Sequence, residues 1–117
     1  MTIVRVLCVD DEPRVLEGLE NHLSLKWEIA TATSAAAGLE ELARHSYAVV
    51  ISDMRMPGGD GAHFLKHAAR RFPNVVRLLL TGQADLNDAA RAINDAGVFR
   101  MLLKPCPTDK LVTAVAA

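Results

Sequence analysis

The sequence predicts a three-layer α/β fold, in which helices cover both faces of a five-stranded parallel sheet. Three observations support this prediction. Short β-rich runs alternate with longer amphipathic stretches, several of the runs are apolar on both faces, and 117 residues suit a single domain. The predicted strands are Ile3–Val9, Trp27–Ala32, Tyr47–Ser52, Val75–Leu80 and Val98–Leu103.

The strict alternation of strands and helices also predicts the topology of the sheet. Each strand reaches its parallel neighbour through a helical crossover, and such crossovers are right-handed. For five strands the usual doubly wound order is 2-1-3-4-5. We therefore expect a (βα)5 sandwich with the second strand at one edge of the sheet.

The helices are predicted from apolar residues that recur three and four positions apart. Ser34, Asp60 and Asp85 stand where N-caps belong, Gly97 can close the fourth helix, and a fifth helix is expected from about Thr108. The apolar sets are Leu16, Leu19 and Leu23; Leu39, Leu42 and Ala43; Leu65, Ala68, Ala69 and Phe72; and Ala89, Ala90, Ile93 and Ala96.

The charge and the hydropathy pattern argue against two classes of function. Thirteen Lys and Arg residues nearly balance fourteen Asp and Glu residues, and no basic stripe appears, so we expect no direct nucleic-acid contact. The apolar runs Ala48–Ile51 and Leu78–Leu80 are far shorter than the roughly 18 residues of a membrane span, and no signal peptide opens the chain. We expect a cytoplasmic domain without membrane contact.

The cysteines and histidines do not form a recognisable motif. Cys8 and Cys106 are far apart and lack CxxC spacing, and Cys8 lies in an apolar run where a free thiol packs as a small hydrophobe. His63 and His67 have the i, i+4 spacing of a helix face. Without a third ligand at a plausible spacing, this pattern favours solvated helix residues over a metal site.

Polar residues directly follow four of the five predicted strands. Asp10–Glu12 follow the first strand, Asp53 the third, Thr81 the fourth and Lys104 the fifth. The carboxyl ends of parallel strands meet at one edge of the sheet, where doubly wound folds bind ligands, so we expect these groups to lie together. Taken singly, the paired aspartates would be a helix-capping cluster and Asp53 a turn initiator. The shared edge favours a functional site.

The carboxylates of Asp10, Asp11 and Asp53 predict a Mg²⁺ site. Like charges at short range repel unless a cation joins them, and Mg²⁺ prefers oxygen ligands while keeping several waters. Asp53, followed by a loop with three glycines before the next helix, is then placed to attack phosphorus and form an aspartyl phosphate. Lys104 and the Thr81 hydroxyl would bind the phosphoryl oxygens.

These motifs resemble the bacterial two-component response-regulator receiver domain over essentially the whole chain. The resemblance implies a flavodoxin-like fold and Asp53 as the phosphoacceptor. It implies Mg²⁺ bound by Asp11, Asp53 and the Arg55 backbone carbonyl, with Asp10 assisting directly or through water. The matching segments are Val9–Pro13, Ser52–Pro57 with Gly61, Leu80–Gly82 and Lys104–Pro105.

The same resemblance implies a switch. Thr81 would be the switch hydroxyl and Lys104 the phosphate-pairing lysine, with a cis peptide before Pro105. The family usually carries Tyr or Phe three residues before the lysine, where this chain has Met101. The nearest aromatic residue, Phe99, lies two strand positions further from the site, roughly 6.6 Å. Signal output is therefore less well determined by the sequence than phosphorylation.

The resemblance also implies partners. We expect residues 1–117 to be the N-terminal receiver part of a longer regulator that takes its phosphoryl group from a sensor histidine kinase or phosphotransfer protein. Phosphorylation would change the face made by the fourth helix, fifth strand and fifth helix, and thereby control a C-terminal output domain or a partner protein. A homodimer through that face is a further expectation of the family. The domain would not be an enzyme beyond assisting its own phosphorylation and dephosphorylation.

Three alternatives compete with this interpretation. A haloacid-dehalogenase-type hydrolase uses a similar strand-end Asp, but Arg55 occupies the place of its general acid and no cap domain is present. A flavodoxin-like cofactor binder would need a phosphate-cradling glycine-rich loop after the first strand, where this chain has acids. A phosphorylation-independent interaction module on the same fold is the main alternative, because of Met101.

Overall fold

A computed structural model describes residues 4–54, 61–82, 100–103, 112, 113, 115 and 116. Strands and helices alternate up to residue 81, a further strand lies at 100–103, and residues 112, 113, 115 and 116 are helical. The elements are β1 (Arg5–Val9), α1 (Pro13–Leu23), β2 (Glu28–Ala32), α2 (Ala35–Arg44), β3 (Val49–Asp53), α3 (Gly61–Arg71), β4 (Val76–Thr81) and β5 (Arg100–Leu103).

The strands form one parallel sheet in the order β2-β1-β3-β4-β5. This confirms the predicted 2-1-3-4-5 order. β1 lies between β2 and β3, so Val9 is level with Ala32 on one side and with Ser52 on the other. Asp53 is level with Leu80 of β4. This register brings the carboxyl ends of the inner strands to the same height.

Two apolar clusters lie on the two faces of the sheet and confirm the three-layer architecture. Leu16, Leu19 and Leu23 of α1 pack on one face against Val6, Cys8, Ile51 and Leu78, together with Val115. On the other face, Leu42 of α2 and Phe64, Leu65 and Ala68 of α3 pack against Leu7, Val9, Val50 and Leu79. Both faces of the inner strands are therefore buried, which explains their continuously apolar sequences.

Local signals explain where two of the helices begin. The Ser34 hydroxyl accepts a hydrogen bond from the Ala37 N–H at 3.1 Å, as its predicted N-cap role requires. α1 begins at Pro13, whose missing N–H costs nothing in a first turn. The predicted fourth helix, the caps Asp60, Asp85 and Gly97, and Thr108 lie outside the described residues.

Several predicted boundaries and one core residue differ from the structure. Tyr47 precedes β3 rather than opening it, while Asp53 and Thr81 are the last residues of their strands rather than the first residues after them. β3 and β4 extend one residue further at their carboxyl ends than predicted, because the pairing of the two strands continues to Asp53 and Leu80. Ala43, assigned to the apolar side of α2, is exposed. It follows Leu42, which takes the buried position on that turn.

No helix that the structure describes has the length and apolar character needed to cross a lipid bilayer.

Candidate functional site

Three aspartates form an acidic cluster at the carboxyl edge of the sheet. Asp10 and Asp11 follow the last residue of β1, and Asp53 ends the adjacent strand β3. One carboxylate oxygen from each residue lies within 4.8 Å of the other two. Asp10 and Asp53 are 1% and 7% exposed, whereas Asp11 is exposed to solvent. We refer to Asp10, Asp11 and Asp53 as the acidic cluster.

The backbone around Asp10 orients its side chain. The Asp10 N–H donates to the Ala32 carbonyl at 3.1 Å, so the residue is tied to the end of β2. The Asp10 Oδ1 accepts a hydrogen bond from the Glu12 N–H at 2.9 Å. This bond forms a turn before α1, whose N-cap residue Glu12 makes no side-chain capping bond, so the capping role that the sequence suggested for the paired aspartates is not seen here. The turn coexists with the cluster, because Asp10 also contributes an oxygen to the group that includes Asp53.

Three hydrogen bonds hold the backbone of Asp53 and of the next residue, Met54. The Ser52 hydroxyl donates to the Asp53 carbonyl at 3.0 Å, and the next N–H, that of Met54, donates to Leu80 in β4 at 2.9 Å. The Met54 carbonyl in turn accepts from the Gly61 N–H at 2.7 Å. These bonds tie the end of β3 to β4 and to the first residue of α3.

Gly61 is the site residue that sequence reasoning undervalued. The sequence suggested that glycines in this segment permit unusual backbone conformations. Gly61 begins α3, which agrees with the N-cap predicted at Asp60. A Cβ built on Gly61 would collide with the Asp53 carbonyl and lie 2.9 Å from the Ser52 Oγ. Glycine is required there because a helix start contacts the backbone of the functional strand. The position of Gly61 eight residues after Asp53 was the available signal.

Thr81 ends the strand next to Asp53. Its side chain is fully buried, and its hydroxyl donates to the Gly82 carbonyl at 3.2 Å. Thr81 is level with Leu103 of β5, the residue that precedes Lys104 in the chain. β5 also contains Met101, which is level with Leu79 of β4. Lys104 itself lies outside the described residues, as do Arg55, Phe99 and the peptide before Pro105.

The donor set of the acidic cluster fits a hard divalent cation. All three groups offer carboxylate oxygens, which suit Mg²⁺, Ca²⁺ or Mn²⁺ better than a soft ion. Ionised carboxylates within 4.8 Å repel each other, and a divalent cation among them would remove that repulsion. Three protein oxygens leave room for water and substrate oxygens in an octahedral shell, which is the arrangement Mg²⁺ favours.

The other residues considered from the sequence lie away from this edge. Cys8 is fully buried in the α1 face of the sheet. Burial, with a smaller contribution from Glu20, raises the pKa of its thiol to about 12, so the thiol stays protonated and packs as an apolar group. Cys106 lies outside the described residues. His63 and His67 are exposed on α3, as the sequence predicted.

The chain is similar in sequence to known proteins. The family profile described as "Response regulator receiver domain" matches residues 6–116. The hydrogenase transcriptional regulatory protein HoxA of Cupriavidus necator is 36% identical over 110 residues, which cover 94% of this chain and 23% of HoxA. The chain thus spans about a quarter of the length of such curated relatives.

Solved structures give the same result. A response regulator receiver domain protein from Clostridium thermocellum superposes with a TM-score of 0.91 at 31% identity, covering 97% of this chain and 92% of that one. A structure described as an adenylate cyclase from Rhodopirellula baltica superposes with a TM-score of 0.92 at 36% identity, covering 98% and 86%. By the profile match, sequence identity and superposition together, the chain belongs to the response regulator receiver domain family.

Proposed function

We propose that Asp53 is the phosphoacceptor of this receiver domain and that Asp10, Asp11 and Asp53 hold a Mg²⁺ ion beside it. One observation carries the proposal. The only grouping of three or more acidic or metal-ligating side chains found among the described residues places Asp53 with two other carboxylates at the carboxyl edge of the sheet. The buried Thr81 ends the neighbouring strand.

In this proposal Asp53 is the nucleophile. One of its carboxylate oxygens forms a bond to phosphorus, while the bond from phosphorus to the donor's nitrogen or oxygen breaks and the donor leaves. When bound, Mg²⁺ supplies positive charge to the carboxylates and to the entering phosphoryl oxygens. The hydrogen bonds to the backbone of Asp53 and Met54 hold the end of β3 and thereby position the attacking carboxylate. The Arg55 carbonyl is the proposed further ligand.

Thr81 and Lys104 would bind the transferred group. The Thr81 hydroxyl now donates to the carbonyl of the next residue at 3.2 Å, a long bond that a phosphoryl oxygen can replace. Lys104 follows the β5 residue that is level with Thr81, and its ammonium would neutralise a second phosphoryl oxygen.

The switch is proposed to start at Thr81. If its hydroxyl turns toward the phosphoryl group, its bond to Gly82 breaks and the chain after β4 moves with it. Met101 in β5 would respond in place of the usual aromatic residue, with Phe99 as its nearest aromatic neighbour in sequence. The face made by the predicted fourth helix, β5 and the predicted fifth helix would carry the change to the output.

The wider setting belongs to the same proposal. Residues 1–117 would be the N-terminal receiver part of a longer cytoplasmic regulator, with a sensor histidine kinase or phosphotransfer protein as donor. A C-terminal output domain or a partner protein would receive the signal, with a homodimer through the switch face. The domain would be regulatory rather than an enzyme. HoxA, named a transcriptional regulatory protein, supports a regulatory output of this kind.

The first experiment is phosphorylation by acetyl phosphate in the presence of Mg²⁺, followed by intact-mass measurement. We expect one added phosphoryl group, lost on chelation and absent from Asp53→Asn. Glu40→Gln, an exposed carboxylate on α2, is the matched control and keeps the adduct. If no adduct forms and a beryllofluoride mimic also fails to bind, the phosphorylation-independent interaction module replaces this proposal.

The switch needs its own test. Amide relaxation or hydrogen exchange is measured over residues 81–104 with and without beryllofluoride. We expect the Thr81 and Gly82 amides to change with the mimic, and Thr81→Ala to weaken the response in residues 100–103. An unchanged segment after confirmed binding would contradict the switch while leaving the phosphoacceptor assignment intact.

A further inference from the structure

Two histidines on α3 form a pair that the acidic cluster does not use. His63 and His67 are four residues apart, so their side chains are neighbours on the helix surface. Their Nε2 atoms are 3.2 Å apart. The two rings meet edge to face, with centroids 4.6 Å apart. The sequence spacing favoured two independent solvated side chains, whereas the structure places the two ligand-type nitrogens together.

We infer that His63 and His67 form a chelating site for a late first-row transition-metal ion, namely Zn²⁺, Ni²⁺ or Cu²⁺. With metal–nitrogen bonds of about 2.0–2.1 Å, two imidazole nitrogens on one ion lie about 2.9 Å apart at a right angle and about 3.3 Å apart at the tetrahedral angle. The observed 3.2 Å falls between these values. The ion would take the place of the proton in the present hydrogen bond. The donor ring gives its Nε2 proton to solvent and takes up a proton at Nδ1, so both rings bind the ion as neutral imidazoles.

The helix that carries the pair is held firmly by the core. Phe64 and Leu65 lie between the two histidines in sequence, Ala68 follows the second, and all three are at most 1% exposed. Phe64 also contacts the position of Gly38 on α2 closely, since a Cβ there would be 3.0 Å from the Phe64 ring. The distance between the two histidine backbones is therefore set before an ion arrives, which lowers the entropy cost of chelation.

The nature of the ligands separates this site from the acidic cluster. Imidazole nitrogen suits Zn²⁺, Ni²⁺ and Cu²⁺, whereas carboxylate oxygen suits Mg²⁺. Lys66 and Arg70 lie within a turn of the pair and are exposed, so their positive charge lowers the affinity for a cation. Solvent and salt screen that repulsion at an exposed site. The remaining coordination positions are left for water or for a ligand from another molecule.

The test is a Ni²⁺ titration by calorimetry in excess Mg²⁺, with His63→Gln and His67→Gln as the test variants. Glutamine keeps helix propensity and polarity but removes the imidazole. His22→Gln, which changes an exposed histidine on α1, is the matched control. We expect each test variant to weaken Ni²⁺ binding about tenfold or more, because the helix supplies the second imidazole at high effective concentration. The control keeps wild-type affinity.

Electron paramagnetic resonance of bound Cu²⁺ identifies the ligands directly. We expect hyperfine coupling to two imidazole nitrogens in the wild type and to one in either test variant. The inference is overturned if the test variants bind Ni²⁺ as tightly as the wild type, if the control loses the same affinity, or if Cu²⁺ shows oxygen ligands only. Because this site is independent of Asp53, its failure leaves the acetyl phosphate result unchanged, and the reverse also holds.

Discussion

The two ends of the sheet hold different arrangements of polar groups. At the carboxyl end, Asp10 and Asp53 are buried, and their carboxylates gather with that of Asp11. At the amino end, opposite or complementary groups are paired. Arg5 lies 3.6 Å from Glu28, and the Tyr47 hydroxyl donates to Glu41 at 2.7 Å.

This difference distinguishes a functional site from polar groups that only stabilise the fold. Pairs such as those at the amino end stabilise a fold modestly and need no ligand. Buried like charges reduce the stability of the fold, and they persist where a bound ion or a reaction uses them. Substitutions at the two ends test this distinction. Residues at the carboxyl end should serve phosphorylation while lowering stability, whereas residues at the amino end should affect stability alone.

Gly61→Ala should have the largest effect. The added Cβ collides with the Asp53 carbonyl, so α3 or the end of β3 must shift, and overpacking of this kind costs about 3 kcal/mol. We expect a lower urea midpoint and slower phosphorylation by acetyl phosphate.

Gly18→Ala is the control for this substitution. Gly18 lies in α1, and a Cβ built there would have no heavy atom within 4 Å apart from its own residue, its chain neighbours and the backbone of its own helix. Alanine should therefore raise stability by up to about 1 kcal/mol through helix propensity. Equal midpoints for the two alanine variants would contradict the role given to Gly61.

Asp53→Asn should raise stability when Mg²⁺ is absent. Removing one charge from the acidic cluster relieves repulsion between groups within 4.8 Å, worth on the order of 3 kcal/mol at an effective dielectric near 20. Mg²⁺ should then stabilise the variant less than the wild type. The measurement is urea unfolding with and without Mg²⁺. A variant that is less stable than the wild type without Mg²⁺ would show that other interactions of the Asp53 carboxylate outweigh the repulsion.

Tyr47→Phe should cost about 1 kcal/mol, the usual net value of one hydrogen bond, because it removes the bond to Glu41. Phosphorylation of Asp53 should be unaffected. Slower phosphorylation of this variant would show that the amino end also affects function, which would contradict the distinction between the two ends.

The raised pKa of Tyr47 predicts that the stability of the fold depends on pH. Burial, and then the hydrogen bond to Glu41, raise the pKa of the Tyr47 phenol above its ordinary value of about 10. A raised pKa means that the unfolded state loses the proton first, so this contribution is complete below pH 10 and declines as the pH rises above it. Wild-type stability should therefore fall more steeply above pH 10 than that of Tyr47→Phe, measured by urea unfolding. Parallel curves would contradict this account.

The ion pair of Arg5 and Glu28 should have the smallest effect. Both side chains are substantially exposed, at 36% and 54%, so solvent weakens their attraction. A double-mutant cycle with Arg5→Met and Glu28→Gln should give a coupling energy below about 0.5 kcal/mol, and salt should reduce it further. A coupling above about 1 kcal/mol would assign the amino end a larger share of the stability.

Much of the fold and of the site could be predicted because the signals are local. An apolar run that is buried on both faces must be an inner strand, and the polar residue after it must lie at its end. The residue pattern alone was enough to place Asp10, Asp53 and Thr81 at one edge. It misjudged residues whose environment is set by a neighbouring element, such as Tyr47 before β3 and the exposed Ala43 on α2.

The amino-acid sequence by itself therefore determined the strand order, the layer structure and the residue types at the carboxyl edge. Only the tertiary structure decided the 4.8 Å grouping of the carboxylates and the contact of Gly61 with the Asp53 carbonyl. Periodicity and propensity act within a few residues of the chain, so they predict elements and their ends. Distances between groups on different elements depend on register and side-chain packing, which arise only when the sheet and its helices assemble.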